Sequence, residues 1–292
     1  MSAVELAQLL MPLAFLLTYS ILGWIVEVIY CAVTLGVVTN RGFLAGPYCS
    51  IYGFGGLGMV LLLRPVADNP ALVFLGTMLV ASALELVTGW AMEKLFRQRW
   101  WDYSDRPFNI GGYICLQFSL MWGLVGLILI DVLHPLVAAF LEWLNPWVLI
   151  GSVGALTVVV VVDSSATIQS ALKLDRQLAA LSDASELLRS STDTISTELG
   201  ERALQIKGRT DGLVERTTEL KDRATSELKE RTAQEVEELR SRREALVQQI
   251  SGTTRRQLRA FPDLRSVRHP AQLEDLRARL ARRGADGPAD KQ

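Results

Sequence analysis

From Leu9 to Val162 the chain alternates long apolar stretches with short polar breaks, and from Asp163 it turns into a charged pattern that meets no proline until Pro262. A run of ~20 mainly apolar residues has the length of a bilayer-crossing helix, so the first half belongs in lipid and the second in water. Five spans are the simplest parse: residues 9–33, 44–64, 71–96, 110–131 and 136–162. Asn145-Pro146 interrupts the fifth, which reads either as one span or as a short interfacial helix followed by a shorter span. The second span carries Gly53, Gly55, Gly56 and Gly58. Such residues are poor helix formers in water but let helices approach closely in lipid.

Beyond the apolar half, Leu174, Leu178, Leu181, Ser185, Leu188, Thr192, Ile195 and Leu199 recur at alternating spacings of three and four. The seam then shifts by four to Ala203 and resumes through Ile206, Thr210, Leu213, Thr217, Leu220 and Ala224, a stutter of the kind that unwinds a coiled coil. Arg202, Arg209, Arg216 and Arg223 repeat every seven residues, and Arg231 follows after the second shift. With Thr, Ser and Ala in the seam, two readings stand: a thin coiled coil that pairs with itself or with a partner helix through 174–250, or a single solvated helix held by i,i+4 charge pairs. The pattern defines an all-α protein. A polytopic membrane helix bundle of about five spans occupies 1–165, a long cytoplasmic amphipathic or coiled-coil helix 166–251, and a basic, partly disordered tail 252–292.

The overall charge of -1 conceals a strong asymmetry. Residues 1–170 hold 6 Lys or Arg against 10 Asp or Glu, a net of 6 - 10 = -4, while residues 252–292 hold 10 against 5, a net of +5. The helical middle, with 14 against 16, is nearly neutral and gives no electrostatic footprint for nucleic acid. The basic tail holds a short Arg-rich helix candidate from Ala271 to Arg283 and reads either as a surface resting on anionic lipid or as a disordered, solubilising extension. Cys31, Cys49 and Cys115 lie in or beside apolar segments without metal-ligand spacing, so they read as packing groups, and neither a disulfide framework nor a metal site is expected. The amino end has no basic n-region, and no cleaved leader is expected.

Basic residues in short loops mark the cytoplasmic face. Arg41, then Lys94, Arg97, Arg99 and Arg106, then Lys173 and Arg176 fall on one face, against Arg64 alone on the other. This predicts a bacterial plasma (inner) membrane protein with its N-terminus outside and its C-terminus in the cytoplasm. In that orientation the ionisable residues gather in the cytoplasmic half. Ser20, Gly23, Glu27, Tyr30 and Thr34 share a face of the first span, and Glu85, Thr88 and Glu93 lie towards the inner end of the third. A carboxylate in the bilayer costs at least ~2.5 kcal/mol, so Glu27 and Glu85 should be paired or protonated, with Arg41 and Arg97 as candidate partners. They read either as a solute site or as structural links between helices. Glu93 is expected at the interface, in water.

Two loops read as built structures. Asn40-Arg41-Gly42-Phe43-Leu44-Ala45-Gly46-Pro47 has a composition suited to non-helical backbone entering the membrane, or to a plain turn. Arg99-Trp100-Trp101-Asp102-Tyr103-Ser104 sets large rings around a carboxylate, either as an interfacial belt or as a site in which Asp102 meets an indole, an arginine or a solute. Asp131 and His134 could relay a proton, or simply end a wetted helix before Pro135. No Gly-rich phosphate loop, nucleophile elbow or paired-His motif is present, which disfavours ATP hydrolysis by this chain and predicts no catalytic residues and no cofactor.

Gly23-Trp24 with Glu27, Asn40 to Leu44 with Gly46-Pro47, Ile51-Tyr52-Gly53, Glu85, Trp100 to Ser104, Asn109, Ile114-Cys115-Leu116, Ser119 and Trp122-Gly123 form an ordered set. It resembles the bacterial CmpB family of ABC-transporter permeases of type IV over roughly residues 12–135. Tyr113 stands where that family usually has Arg. The resemblance implies a permease or transport component served by a separate ATPase subunit. Its expected cytoplasm-facing polar pocket comprises Glu27, Asn40, Arg41, Glu85, Trp100, Trp101, Asp102, Tyr103 and Asn109. The alternative is a non-transporting membrane anchor whose helical arm recruits cytoplasmic partners. An intramembrane enzyme would need a nucleophile or metal set that does not accompany these acids.

Overall fold

The computed structural model describes residues 2–36, 38–207, 234 and 236–285. The chain divides into two units, Met1–Lys173 with Gly252–Arg268, and Leu174–Ser251 with His269–Gln292.

The first unit is built on apolar helices. α1 (Ala3–Leu35) starts at a capping box, in which Ser2 Oγ accepts from the Glu5 amide and Glu5 accepts from the Ser2 amide, and stops at Gly36 in the left-handed conformation. α2 (Ser50–Leu63) continues through a 3-10 turn (Arg64–Val66). α3 (Pro70–Phe96) is capped by Asn69, with Pro70 in the first turn, where its missing N–H costs nothing. Two short strands, β1 (Gln98–Arg99) and β2 (Asn109–Ile110), precede β3 (Ile114–Cys115), and β2 and β3 pair as a hairpin. α4 (Leu116–Ile128) passes through a π turn (Leu129–Leu133) into α5 (His134–Trp143), and α6 (Pro146–Lys207) follows the Asn145 cap.

Four of these helical stretches are long and apolar enough to cross a membrane: Ala3–Thr34, Pro70–Phe96, Leu116–Trp143 and Pro146–Leu187. The expected second span is the shorter apolar helix Ser50–Val66, about 25 Å at 1.5 Å per residue, against ~30 Å of hydrocarbon. The last two expected boundaries also move. Residues 110–115 form the hairpin, whose Gly111 and Gly112 adopt positive φ, so the fourth span starts at Leu116. It then runs past Pro135, because the π turn just upstream absorbs the hydrogen bond that Pro135 cannot donate. Residues 136–143 therefore belong to the fourth span.

Neighbouring helices run antiparallel. Along α1 and α2 the close pairs are Gly23 with Tyr52, Ser20 with Gly53 and Tyr19 with Gly56, so one index falls as the other rises. Along α3 and α4, Gly89 meets Tyr113 just before α4, Ser82 bonds Ser119 and Thr77 meets Gly126. The core includes Ala14, Leu17, Met59, Ala81, Val137 and Val153. Residues 36–49 and 97–115 thus lie at one end of the helices, and residues 64–69 at the other.

In the basic tail the expected helix at 271–283 is present, and residues 252–268 form further elements. α7 spans residues 236–248, α8 (Gly252–Ala260) and β4 (Arg265–Ser266) belong to the first unit, and α9 (Pro270–Ala285) to the second. β4 pairs antiparallel with β1, placing Gln98 opposite Ser266 and Arg99 opposite Arg265.

Within the second unit Leu174, Leu178 and Leu181 of the expected seam are buried, as are Val247, Leu273 and Leu276. Ser182 accepts from Gln272, and Asp275 of α9 pairs with Arg243 of α7 at 2.7 Å and with Arg279 at 2.8 Å. The start of the seam is therefore covered within the unit. Arg209, Arg216, Arg223 and Arg231, and the seam between 208 and 233, lie outside the described residues.

Candidate functional site

Two linked carboxylates anchor a polar cluster at the loop-bearing end of the helices. Glu27, near the end of α1, accepts from the Tyr52 hydroxyl at 2.6 Å, and its other oxygen lies 3.9 Å from Arg41 Nε. Arg41 is held from three sides: it also reaches the Cys31 sulfur at 3.5 Å and lies 5.7 Å from the Tyr30 ring centroid. Burial works against its charge, but Glu27, helped by Cys31 and Tyr30, holds the guanidinium above its ordinary basicity.

Glu85, on α3, is placed differently. It is 9% exposed and accepts from the Tyr103 hydroxyl at 3.2 Å through one oxygen, while the second is buried without a hydrogen bond. Among the described residues it makes no ion pair. Trp122 of α4 lies against it, its indole N–H having the carboxylate as its nearest acceptor partner, and Trp122 stands edge-on to Tyr52 at 5.7 Å between centroids. Tyr103 stacks on Phe118 at 4.7 Å. Tyr52, Trp122 and Tyr103 thus bridge the space between the two acids. Arg97, the other candidate partner for these acids, instead ends α3 in a left-handed conformation, with its amide bonded to the Glu93 carbonyl.

The Asn40–Pro47 loop is held on both sides. Asn40 accepts from Trp24 Nε1 at 2.8 Å and from the Gly42 amide at 3.1 Å, and donates to the Ala45 carbonyl at 2.7 Å. Asp163 of α6 takes the amides of Ala45 and Gly46 and the hydroxyl of Tyr48, at 3.2, 2.8 and 2.6 Å. From α8, Arg256 donates to the carbonyls of Gly42 and Phe43 at 2.9 and 2.8 Å, and Gln257 reaches Phe43 at 3.3 Å. Non-helical backbone at this depth needs such partners.

The other expected residues serve a different neighbourhood. Trp100 is buried edge-on against Phe43 and Phe96, and Trp101 donates to the Tyr113 carbonyl at 2.9 Å. Asp102 binds Ser104 and pairs with Arg99 at 3.6 Å and Arg265 at 3.1 Å. Burial would raise its carboxyl, but the two Ser104 hydrogen bonds and the two arginines bring it below the usual carboxylate range. Asn109 holds the loop before the hairpin through Ser104, Arg106 and Gly112. The geometry therefore gathers Glu27, Arg41, Glu85 and Tyr103 into one cluster and sets Asn40, Trp100, Trp101, Asp102 and Asn109 in the supporting loops.

Several participants escaped the sequence reading. Asp163 read only as a boundary residue, although a lone acid at the end of an apolar run is a signal in itself. Arg256 and Gln257 gave none, because pairing across more than 200 residues leaves no local pattern. Glu93, expected in water, is bonded by Arg99 and by the Tyr113 hydroxyl at 2.8 Å, and Arg99 stacks on Tyr113 at 4.8 Å. His134, expected at a wetted helix end, bonds the Tyr19 hydroxyl at 2.7 Å and packs on Phe15. No group of three or more metal-ligating side chains occurs among the described residues.

Apolar helices of spanning length around a sparse set of bonded acids define a polytopic α-helical membrane protein. Residues 14–168 match the model of a family described as "Putative ABC-transporter type IV" (ABC_trans_CmpB). The chain belongs to that family, which makes it a transport-related membrane protein. No curated protein and no solved structure matches it.

Proposed function

We propose that this chain is the membrane-embedded component of an inner-membrane transport system, with the Glu27–Arg41–Glu85–Tyr103 cluster as its solute-contacting site on the cytoplasmic side. The single observation that carries the reading is Glu85: a carboxylate nine-tenths buried among helices, beside Tyr103 and the Trp122 indole, with no cation near it among the described residues. A purely structural carboxylate at this depth would be expected to have a compensating cation. Intramembrane acids that are not satisfied structurally mark solute and ion pathways. Glu27, already paired with Arg41, accepts from Tyr52 and so positions it beside Trp122. The basic residues of 94–106 support a cytoplasmic position for this end, and in this reading ATP hydrolysis falls to a separate subunit.

Solute distribution tests this directly. In cells lacking the protein, comparative profiling of cytoplasm and medium should reveal a solute whose partition changes. Wild type restores it, and Glu85→Gln at equal membrane abundance does not. Restoration by Glu85→Gln, or no displaced solute at all, overturns the reading.

The anchor reading is separated by a clean excision. Ser170 and Thr254 stand 3.1 Å apart, so residues 174–251 can be replaced by a short Gly/Ser linker and the chain ended at 268 with the first unit whole. A transport component keeps activity after this excision, whereas an anchor for partners loses it.

A further inference from the structure

β4 begins 166 residues after β1 ends, yet the two strands are hydrogen-bonded, and the Val267 amide continues the ladder to the Arg97 carbonyl at 3.0 Å. β1 starts only two residues beyond the end of α3. The pairing therefore fixes the segment 252–268 at the depth where a membrane-spanning helix leaves the hydrocarbon, and Arg256 fixes it again on the loop that leads into α2.

Charge concentrates on this layer. Residues 93–113 and 252–268 together hold nine cations (Lys94, Arg97, Arg99, Arg106, Arg255, Arg256, Arg259, Arg265, Arg268) against Glu93, Asp102, Asp105 and Asp263, a net of 9 - 4 = +5. Asp102 is already engaged by Arg99 and Arg265. Lys94, Arg255, Arg259 and Arg268 are exposed, and none makes an ion pair among the described residues. α8 turns Thr254, Gln257 and Leu258 inward, which leaves Arg255 and Arg259, four apart, on its outer side. Apolar side chains are exposed in the same layer: Leu95 at the end of α3, Phe108 and Ile110 at the hairpin, and Val267 between Ser266 and Arg268.

We propose that α8 and the β1–β4 ladder form a composite binding surface for anionic phospholipid headgroups, assembled from two segments that only folding brings together. Cations interleaved with exposed apolar side chains at the exit of a spanning helix match the headgroup boundary, where phosphates meet acyl chains. A soluble acidic partner would use the charge but give no role to Leu95 and Val267. Headgroup binding also presses α8 onto the bundle and so keeps Arg256 on the Gly42 and Phe43 carbonyls. The proposal does not depend on whether the bundle transports.

The test uses the full chain reconstituted in phosphatidylcholine bilayers, with spin-labelled phosphatidylglycerol or spin-labelled phosphatidylcholine as the probe of the protein-contacting lipid shell. Phosphatidylglycerol should be enriched about threefold over phosphatidylcholine at low salt, with the preference falling as ionic strength rises. The triple variant Arg255→Gln, Arg259→Gln, Arg268→Gln should bring the ratio close to one, and the corresponding triple Lys variant should retain the preference, which separates loss of charge from loss of fold. Equal association of the two lipids with wild type overturns the proposal. So does a preference that the Gln variant keeps. Preference lost in both triple variants would mark a folding defect, and the single variant Arg255→Gln, expected to lower the ratio partially, then decides: an unchanged ratio counts against the proposal.

Discussion

Glu27 and Glu85 share a side-chain type and a depth, and the contacts around them separate their roles. Glu27 has a phenol on one oxygen and a guanidinium near the other, so Glu27→Gln leaves Arg41 half-buried without its anion. That should cost about 1–3 kcal/mol, read as a lower midpoint of thermal unfolding in detergent. Glu85→Gln is a nearly isosteric change at a side chain that no cation engages among the described residues, and it should leave the midpoint nearly unchanged. The reverse order would contradict the pairing. Asp102 supplies a pH test. Its carboxyl is held below the ordinary carboxylate range, so its contribution to fastening β1 to β4 is complete above that range and disappears as pH falls through its lower folded value. Protection of the Val267 amide from hydrogen exchange, corrected for intrinsic rates, should fall between about pH 5 and pH 2. In Asp102→Asn it should be weak throughout. At this scale the sequence made the acids conspicuous, because a carboxylate in an apolar run is costly wherever it sits. It could not show which acid has a partner, since Arg41 and Arg97 looked equivalent until the end of α3 turned the Arg97 backbone into its helix cap.

Elements pack by close approach. A Cβ on Gly53 would lie 2.5 Å from the Leu16 carbonyl oxygen and 2.1 Å from Ser20 Oγ, and the former is backbone that cannot rotate away. Gly53→Ala should therefore push α2 off α1 and destabilise by about 1–3 kcal/mol. A Cβ on Gly58 meets nothing within 4 Å, so Gly58→Ala is the matched control and should leave the unfolding midpoint in place. The glycine run in the second apolar segment was legible as a packing face, but a composition cannot show which glycines touch a neighbour. The loop before it was legible as non-helical, and the means of satisfying its backbone was not. Arg256→Ala strips donors from two carbonyls, and protection of amides 42–46 against exchange should drop by about tenfold; unchanged protection would mean that Arg256 does not hold the loop. The π turn was hidden for a related reason. Pro135 looks like a stop in sequence, and becomes a bend when the preceding turn widens.

At the scale of the molecule the membrane half was readable in class, because period and length alone identify apolar spanning helices, whereas its boundaries at residues 110–115 and 136–143 were not. The water-exposed half was readable in class, as helix, and less so in arrangement. Leu174, Leu178 and Leu181 are buried within their own unit, and α8 with β4 returns to the first unit after an excursion of 78 residues, 174–251. Nothing local in residues 252–268 distinguishes a returning segment from a basic tail. The central claim is that the acid cluster sits at the cytoplasmic end of a bundle whose short apolar helix completes a crossing. Single cysteines at Ser2, Asp68 and Arg106, probed in intact cells with a membrane-impermeant maleimide, test it most directly. The account predicts that Ser2→Cys and Asp68→Cys react from outside, and that Arg106→Cys reacts only after the membrane is opened. Reaction of Asp68→Cys and Arg106→Cys from the same side would contradict it.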